Sequence, residues 1–223
     1  MRNQPKVRTH DPEATREALL SAGTDLFAEY GFDAVRVEQI AEASGVNKAL
    51  INYHFGGKAG LYSAILKATF GGMTQGVGAI VGGDLSAEDK LRGLIRAIGR
   101  MVEQRPNLPR MVLREILSGG RQIDAETLPN FLAVFGAVRA IVEEGVRRGE
   151  FREVDALSTH LGLVGSLMFF FSTERFRREK LTGRDIPLPP DFKQPDAADY
   201  LKHIEELMVR GLAADKPRRR ARR

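Results

Sequence analysis

Apolar residues in this chain recur every three to four positions, and nowhere do they alternate over a run that would make a pair of strands. That periodicity restricts the chain to an all-α fold. Asp11-Pro12-Glu13 supplies an N-cap, a first-turn proline and a first-turn acid. Behind them Ala18, Leu19, Ala22, Leu26, Phe27 and Tyr30 repeat at helical spacing until Gly31. Short helices follow over 37–44 and 47–53, divided by Ser44-Gly45-Val46, and a longer one runs over 58–81. Ser86-x-x-Asp89 opens another that ends near Gln104, and Pro106 and Pro109 punctuate the next. Periodic segments over 126–148, 154–180 and 196–213 complete about nine helices.

The 223 residues allow one large domain or two small ones, and a chain of this size buries about 70% of its unfolded surface. With no cysteine, disulfide frameworks, Cys-ligated zinc, iron–sulfur clusters and thiol catalysis are excluded. The four histidines stand too far apart for a local metal motif. The longest apolar stretch, Leu161 to Phe171, falls well short of the ~20 residues of a membrane span, and the start lacks the apolar core of a signal peptide. The expectation is a cytoplasmic globular protein with no cofactor, no metal and no membrane partner. The net charge of +5 resides in the tail, because Lys216, Arg218, Arg219, Arg220, Arg222 and Arg223 alone contribute +6. Residues 1–67 are neutral overall, so the charge balance by itself says little about nucleic acid.

The window Val35 to Leu61 has the layout of a helix-turn-helix. Ile40, Val46 and Ile51 take core positions, Ala41 admits a close helix crossing, and Gly45 supplies the turn. Asn47 caps a helix whose outward face shows Lys48, Ala49, Asn52 and Tyr53. On spacing alone this segment is either a generic helical hairpin or a DNA reader.

The first 62 residues resemble the TetR (tetracycline-repressor) family of bacterial transcriptional regulators. The resemblance rests on Thr15-Arg16-Glu17-Ala18-Leu19-Leu20, Leu26-Phe27-Ala28-Glu29-Tyr30-Gly31-Phe32, Ile40-Ala41, Gly45-Val46 and Tyr53-His54-Phe55-x-x-Lys58-x-x-Leu61. Asn52 to Lys58, together with Leu113-Arg114-Glu115, also resembles a subgroup with a CecR/YbiH-like C-terminal domain. Asn52 stands where the family more often has an aromatic, Leu50 where a hydroxyl is common, and Arg36-Val37 where Ser or Thr usually caps the second helix. Asp33 is the candidate substitute for that cap. The resemblance implies a helix-turn-helix domain over 1–60, an effector-binding and dimerisation domain over 61–215, and a basic disordered tail over 216–223. It implies a homodimer on a palindromic double-stranded DNA operator, released by a small-molecule effector.

Chemistry then assigns roles. Asn52 can pair bidentately with adenine, Lys48 can reach guanine or phosphate, and Ala49 or Leu50 can pack on a thymine methyl. Tyr53 and His54 can donate to phosphate oxygens, His54 having packing between helices as an equal alternative. Lys58 and Arg36 stand at helix starts, where free N–H groups favour a phosphate. Arg2, Lys6 and Arg8 form an arm that can enter the minor groove.

The segment 154–180 is apolar on more than one face, and with Leu201, Ile204, Leu207, Met208 and Leu212 it predicts a four-helix interface between two subunits. Met101, Arg114, Phe131, Phe135, His160 and Met168 are the candidate effector residues, each with core packing as its alternative. Gly71, Gly72, Gly76 and Gly78 soften the helix over 58–81, each by about 1 kcal/mol relative to Ala. No nucleophile elbow, P-loop or His-Glu-x-x-His is present, so catalysis is not expected. The competing reading is a helical small-molecule binder whose DNA reader has degenerated.

Overall fold

The computed structural model describes residues 11–181, 189 and 191–214. The N-terminal arm and the Arg-rich tail lie outside them. Eleven helices are present among the described residues: α1 (Pro12–Tyr30), α2 (Val37–Ser44), α3 (Ala49–Phe55), α4 (Lys58–Gly82), α5 (Ala87–Gln104), α6 (Leu108–Leu117), α7 (Leu128–Phe131), α8 (Ala133–Arg147), α9 (Ala156–Ser172), α10 (Glu174–Lys180) and α11 (Ala197–Leu212). The extended backbone among them pairs at one point, a bridge between Phe151 and Ala213.

The local signals work as their chemistry predicts. Asp11 accepts a hydrogen bond from the Glu13 N–H at the start of α1. Ser86 Oγ accepts from Asp89 N at 3.0 Å and donates back to Asp89 Oδ2 at 2.7 Å, capping α5. Asp155 and Asp196 cap α9 and α11 by accepting from the N–H of Ser158 and of Asp199.

Two long segments divide, which raises the helix number above nine. Residues 126–148 split into a single turn, α7, and the longer α8. Residues 154–180 break at Thr173, where α9 and α10 meet at 49°. Thr173 Oγ1 bonds to Phe169 O at 2.7 Å, and the Arg177 guanidinium also donates to the Phe170 carbonyl. Side chains thus occupy carbonyls that a continuous helix would use. No single helix among the described residues is long and apolar enough to cross a membrane.

Helices α1 and α3 pack on α4 and α2 packs on α1; α4 also packs with α5 and α8, and α11 lies on α5. One core runs through both parts, from Leu19, Phe27, Ile40 and Ile51 through Leu61, Ile65 and Phe70 to Leu91, Ile95, Val138 and Ile141. Burying such side chains stabilises by about 1.5–3 kcal/mol each. Two charged contacts lock the outer helices. Lys90, 4% exposed, meets Glu144 at 2.7 Å, joining α5 to α8. Glu205 of α11 receives both Arg92 and Arg96 of α5 at 2.7 Å. Arg96 is the main reason its carboxyl is held below the usual carboxylate range, with Arg92 adding to it.

Helix α8 carries two glycines with opposite roles. A methyl on Gly145 would lie 2.2 Å from Cδ2 of the buried Phe151 ring, whereas one on Gly136 would meet nothing within 4 Å. Gly145→Ala is therefore expected to destabilise the fold by about 1–3 kcal/mol through overpacking. Gly136→Ala should stabilise it by about 0.5–1 kcal/mol through helix propensity. Urea unfolding of the two variants checks this, and equal midpoints would overturn the assignment.

Candidate nucleic-acid interface

Helix α2 ends in a left-handed glycine. Gly45 has φ 67°, its N–H donates to Glu42 O at 3.2 Å, and the Val46 N–H reaches Ala41 O at 3.1 Å. This paired closure satisfies two terminal carbonyls and buries Val46 beneath the turn. Asn47 then starts the next helix: its Oδ1 accepts from Ala49 N at 2.9 Å.

The inward and outward faces of α3 follow from four i,i+4 rows. Ile51 is fully buried and Phe55 half-buried beside it; Leu50 and His54 form a half-buried flank. Lys48 with Asn52, and Ala49 with Tyr53, form the exposed face. Tyr53 is 80% exposed and stands edge-on to His54, with ring centroids 5.0 Å apart. Asn52 is exposed, and a methyl on Gly57 would lie 3.3 Å from its Oδ1. Lys48 meets Glu38 at 3.5 Å with both side chains about two-thirds exposed, a pairing that water and salt weaken easily. A backbone hydrogen bond at Glu38 and then Lys48 itself keep that carboxyl below its usual range.

Three residues sit differently from the sequence expectation. Leu50, a candidate for a thymine methyl, is half-buried and packs against the core. Lys58, a candidate for a phosphate, turns inward. Its Nζ donates to Phe32 O and Val35 O, each at 2.8 Å, and lies 4.3 Å from the centre of the Phe32 ring. Two of its three donors are thus spent fastening the loop between α1 and α2 to the start of α4. Arg36 is exposed and its guanidinium makes no hydrogen bond among the described residues. Its backbone N–H is satisfied by Gln39 Oε1 at 2.8 Å, so the cap comes from Gln39 rather than from Asp33. Asp33 instead faces Arg121 at 3.4 Å.

A polar seam fastens this unit to α6, and only fragments of it were foreseen. Arg114 donates from Nε to Ala28 O at 2.9 Å, and its Nη2 donates to Glu29 O. These carbonyls are the last of α1, which a cation complements well. Arg114 therefore belongs to the seam, and it also lines a hollow of about 360 Å³ beside it. Asn107 bonds Asp25 at 2.7 Å, and Arg110 pairs with Glu29 at 2.9 Å. Buried Tyr62 donates to Glu115 Oε1 at 2.6 Å, and burial, then the Glu115 bond, raise the phenol's pKa well above its ordinary value. Arg114 and Glu115 thus do joint work between α1, α4 and α6. Tyr62 falls one helical turn after Lys58, the one sequence clue to its place.

The remaining effector candidates do not converge. Met101 lines a narrow cleft of about 210 Å³ between α4 and α5. Phe131 stands edge-on to Phe70 at 5.3 Å, and Met168 is buried in the core. Phe135 lines a hollow of about 840 Å³ between α8 and the start of α9, with His160 edge-on at 5.4 Å. The Nδ1 of His160 is buried without a partner, and burial holds its pKa below the ordinary value. No group of three or more His, Asp or Glu side chains among the described residues is placed to hold a metal ion.

Residues 19–65 match the family described as bacterial regulatory proteins, tetR family, and residues 88–204 match the tetracyclin repressor-like C-terminal domain. The chain is 28% identical over 211 residues to the HTH-type transcriptional repressor NicS of Pseudomonas putida, covering 92% of this chain and 96% of that one. It is 28% identical over 210 residues to the HTH-type transcriptional regulator RutR of Escherichia coli, covering 92% and 93%. Its fold is that of the fatty acid degradation regulator FadR of Bacillus halodurans, with a TM-score of 0.64 at 18% identity over 94% of this chain and 97% of that chain. The hemolysin II transcriptional regulator HlyIIR gives a TM-score of 0.61 at 18% identity over 92% and 99%. With the N-terminal match falling on the helix-turn-helix and the C-terminal match spanning more than half of the sequence, the chain belongs to the TetR family of bacterial transcriptional regulators.

Proposed function

We propose that the chain is a ligand-responsive repressor that binds a palindromic DNA operator as a homodimer in the cytoplasm and leaves it when a small-molecule effector binds. The observation that carries this reading is the exposed face of α3, where Lys48, Ala49, Asn52 and Tyr53 stand together on a helix held by caps at both ends. Short and polar side chains on such a face suit a major groove. In this reading residues 1–60 read DNA, 61–215 sense and dimerise, and 216–223 add a basic tail. Lys48 and Asn52 contact base edges, while Arg36 and Tyr53, with His54 on the flank, meet phosphates. The role is binding, with no catalytic step.

The dimer reading rests on an apolar surface that the single chain leaves open. Leu157, Leu161 and Phe169 lie along one side of α9 and are 51%, 61% and 66% exposed. Gly165 lies between Leu161 and Phe169 and is itself exposed, so a partner helix can approach closely; Leu207 of α11 is exposed too. A two-fold axis would place this surface against its own copy. Sedimentation equilibrium should give twice the chain mass for the wild type, and Leu161→Glu with Phe169→Glu should yield monomers. A monomeric wild type at micromolar concentration would overturn the assembly. Footprinting should protect two half-sites about 34 Å apart, or a multiple of that, along the duplex.

Reading and positioning separate by mutation. Asn52→Ala should cost about 1–3 kcal/mol on the cognate operator, little on random DNA, and relax the preference at one base pair per half-site. Lys58→Met should instead lower folding stability by about 1.5–3 kcal/mol, from its two charged hydrogen bonds to carbonyls, and leave the salt slope of DNA binding unchanged. Fluorescence anisotropy with single-base operator variants at two salt concentrations, beside thermal unfolding, tests both. A uniform loss for Asn52→Ala would make it a phosphate contact, and no operator binding by the wild type would favour a degenerate reader.

A further inference from the structure

The end of α5, the break between α9 and α10, and the start of α11 enclose a hollow of about 450 Å³ that is distinct from the α4–α5–α8 core. Three flat groups stack beside it. The Phe170 and Tyr200 rings are parallel within 4°, with centroids 3.8 Å apart, and the Arg177 guanidinium carbon lies 3.8 Å from the Phe170 centroid. Arg177 is fixed by one end only. Its Nη1 donates to Phe170 O and, at 3.0 Å, to Thr173 Oγ1, while the Gln194 amide holds the Arg177 carbonyl at 2.9 Å.

The other edge of that guanidinium is unspent. Nε is buried without an acceptor, and neither Nε nor Nη2 has a hydrogen bond among the described residues. Arg177 has no carboxylate within ion-pair distance among the described residues either, whereas Arg92 and Arg110, likewise half-buried, each hold one. Burial pulls its pKa below the ordinary arginine value, with the charge of Glu174 opposing that shift from a longer distance. An arginine presenting two parallel N–H donors matches a carboxylate bidentately. Val102, Pro106 and Phe171 supply apolar wall in the same hollow. Glu103, Glu174 and Asp196 also line it, beside Arg178, so a second negative charge on a ligand would be repelled.

The helix that carries Arg177 also touches the DNA-reading end. Arg175 of α10 pairs with Glu29 of α1 at 3.1 Å, on the same carboxylate that Arg110 of α6 holds at 2.9 Å. Arg175 and Arg177 thus stand two positions apart on the same short helix.

We propose that this hollow is an effector site for a small organic monocarboxylate, gripped by the Nε–Nη2 edge of Arg177 with its apolar body against Phe171 and Val102, and that α10 conveys occupancy to Glu29. The inference rests on the ligand-responsive reading above and names the chemistry of its ligand. Benzoate is the probe, with benzamide as its uncharged match in shape, titrated calorimetrically into the full chain without DNA. Benzoate should bind and benzamide should not. Arg177→Gln should weaken benzoate by about tenfold or more, and Arg177→Lys, which keeps the charge but loses the fork, should weaken it too. Circular dichroism melts establish that each variant is folded, and Arg177→Lys carries the test if Arg177→Gln is not. No benzoate binding to the wild type at millimolar concentration, or equal affinity in the folded Arg177 variants, would overturn the site. Operator binding is then measured with and without benzoate. Glu29→Gln should keep its benzoate affinity and lose most of the benzoate effect on DNA, and an undiminished effect would overturn the α10 route. A chain that binds benzoate through Arg177 but binds no DNA would leave the site standing and remove the repressor reading.

Discussion

The Tyr62 side chain is where the two halves of this molecule are made to move as one. Its ring meets Phe27 edge-on at 4.8 Å and Phe32 at 5.1 Å, so it is part of the core under the helix-turn-helix. Its hydroxyl leaves that core to bond Glu115 on α6. A buried phenol and a buried carboxylate are each costly to leave unpaired, by about 1–3 kcal/mol or more for the charged group, so neither can separate without exposing the other. The fit is tight but incomplete, since Glu115 Oε2 has no partner among the described residues. A joint of this kind favours one seating of α1 on α6 over a continuum of loose ones.

Around that joint the connections differ in kind. Lys58 fixes the loop between α1 and α2 to the start of α4, within the DNA-reading unit itself. Arg114 fixes α6 to the carbonyl end of α1, and Arg110 and Arg175 converge on Glu29 at the same place. These last two are partly exposed ion pairs, worth little individually and sensitive to salt. Their value is positional: they stand at the end of α1 while the buried Tyr62–Glu115 contact supplies the stiffness. Helix α4 offers a second link to the sensing half. A methyl would meet nothing within 4 Å at Gly71, Gly76 or Gly78, so packing does not require glycine there. The sequence retains residues that each cost a helix interior about 1 kcal/mol, which leaves α4 intact but compliant beyond its first turns.

What was legible in the sequence was whatever is settled within one helical turn. Asp11, Ser86 and Asn47 act as caps, Gly45 turns the chain, and Ile40, Val46 and Ile51 are buried, because each depends on neighbours three to five positions away. The family resemblance carried by residues 15–61 rests on the same local residues. Contacts between distant segments were not legible. Nothing near Lys58 in the sequence says that its ammonium will find the carbonyls of residues 23 and 26 positions earlier. Arg114 reads as a polar residue on an apolar stretch until α1 arrives with two unsatisfied carbonyls. Leu50 illustrates the intermediate case: a rotation of α3 by part of a turn decides whether it faces a groove or the core, and periodicity over seven residues is too short to set that angle. The break at Thr173 was hidden for a related reason: no proline or glycine marks it, and the bonds that Thr173 and Arg177 make to carbonyls of α9 depend on the folded geometry.

The charge distribution gains meaning from the same geometry. Residues 1–67 carry no net charge, which argues weakly against binding a polyanion when the segment is treated as a bag of residues. In the folded chain several of its acids are occupied facing inward or sideways: Glu29 holds Arg110 and Arg175, Asp25 holds Asn107, and Asp33 faces Arg121. Those three acids have partners on α6 or at its start, on α10 and on the segment after α6 rather than on α3. The exposed face of α3 is left with Lys48, Ala49, Asn52 and Tyr53, with Glu38 facing Lys48 across a screened 3.5 Å contact. The basic partners of the seam therefore do two things at once: they fasten the helix-turn-helix to its sensor, and they neutralise acids that would otherwise repel a phosphate backbone.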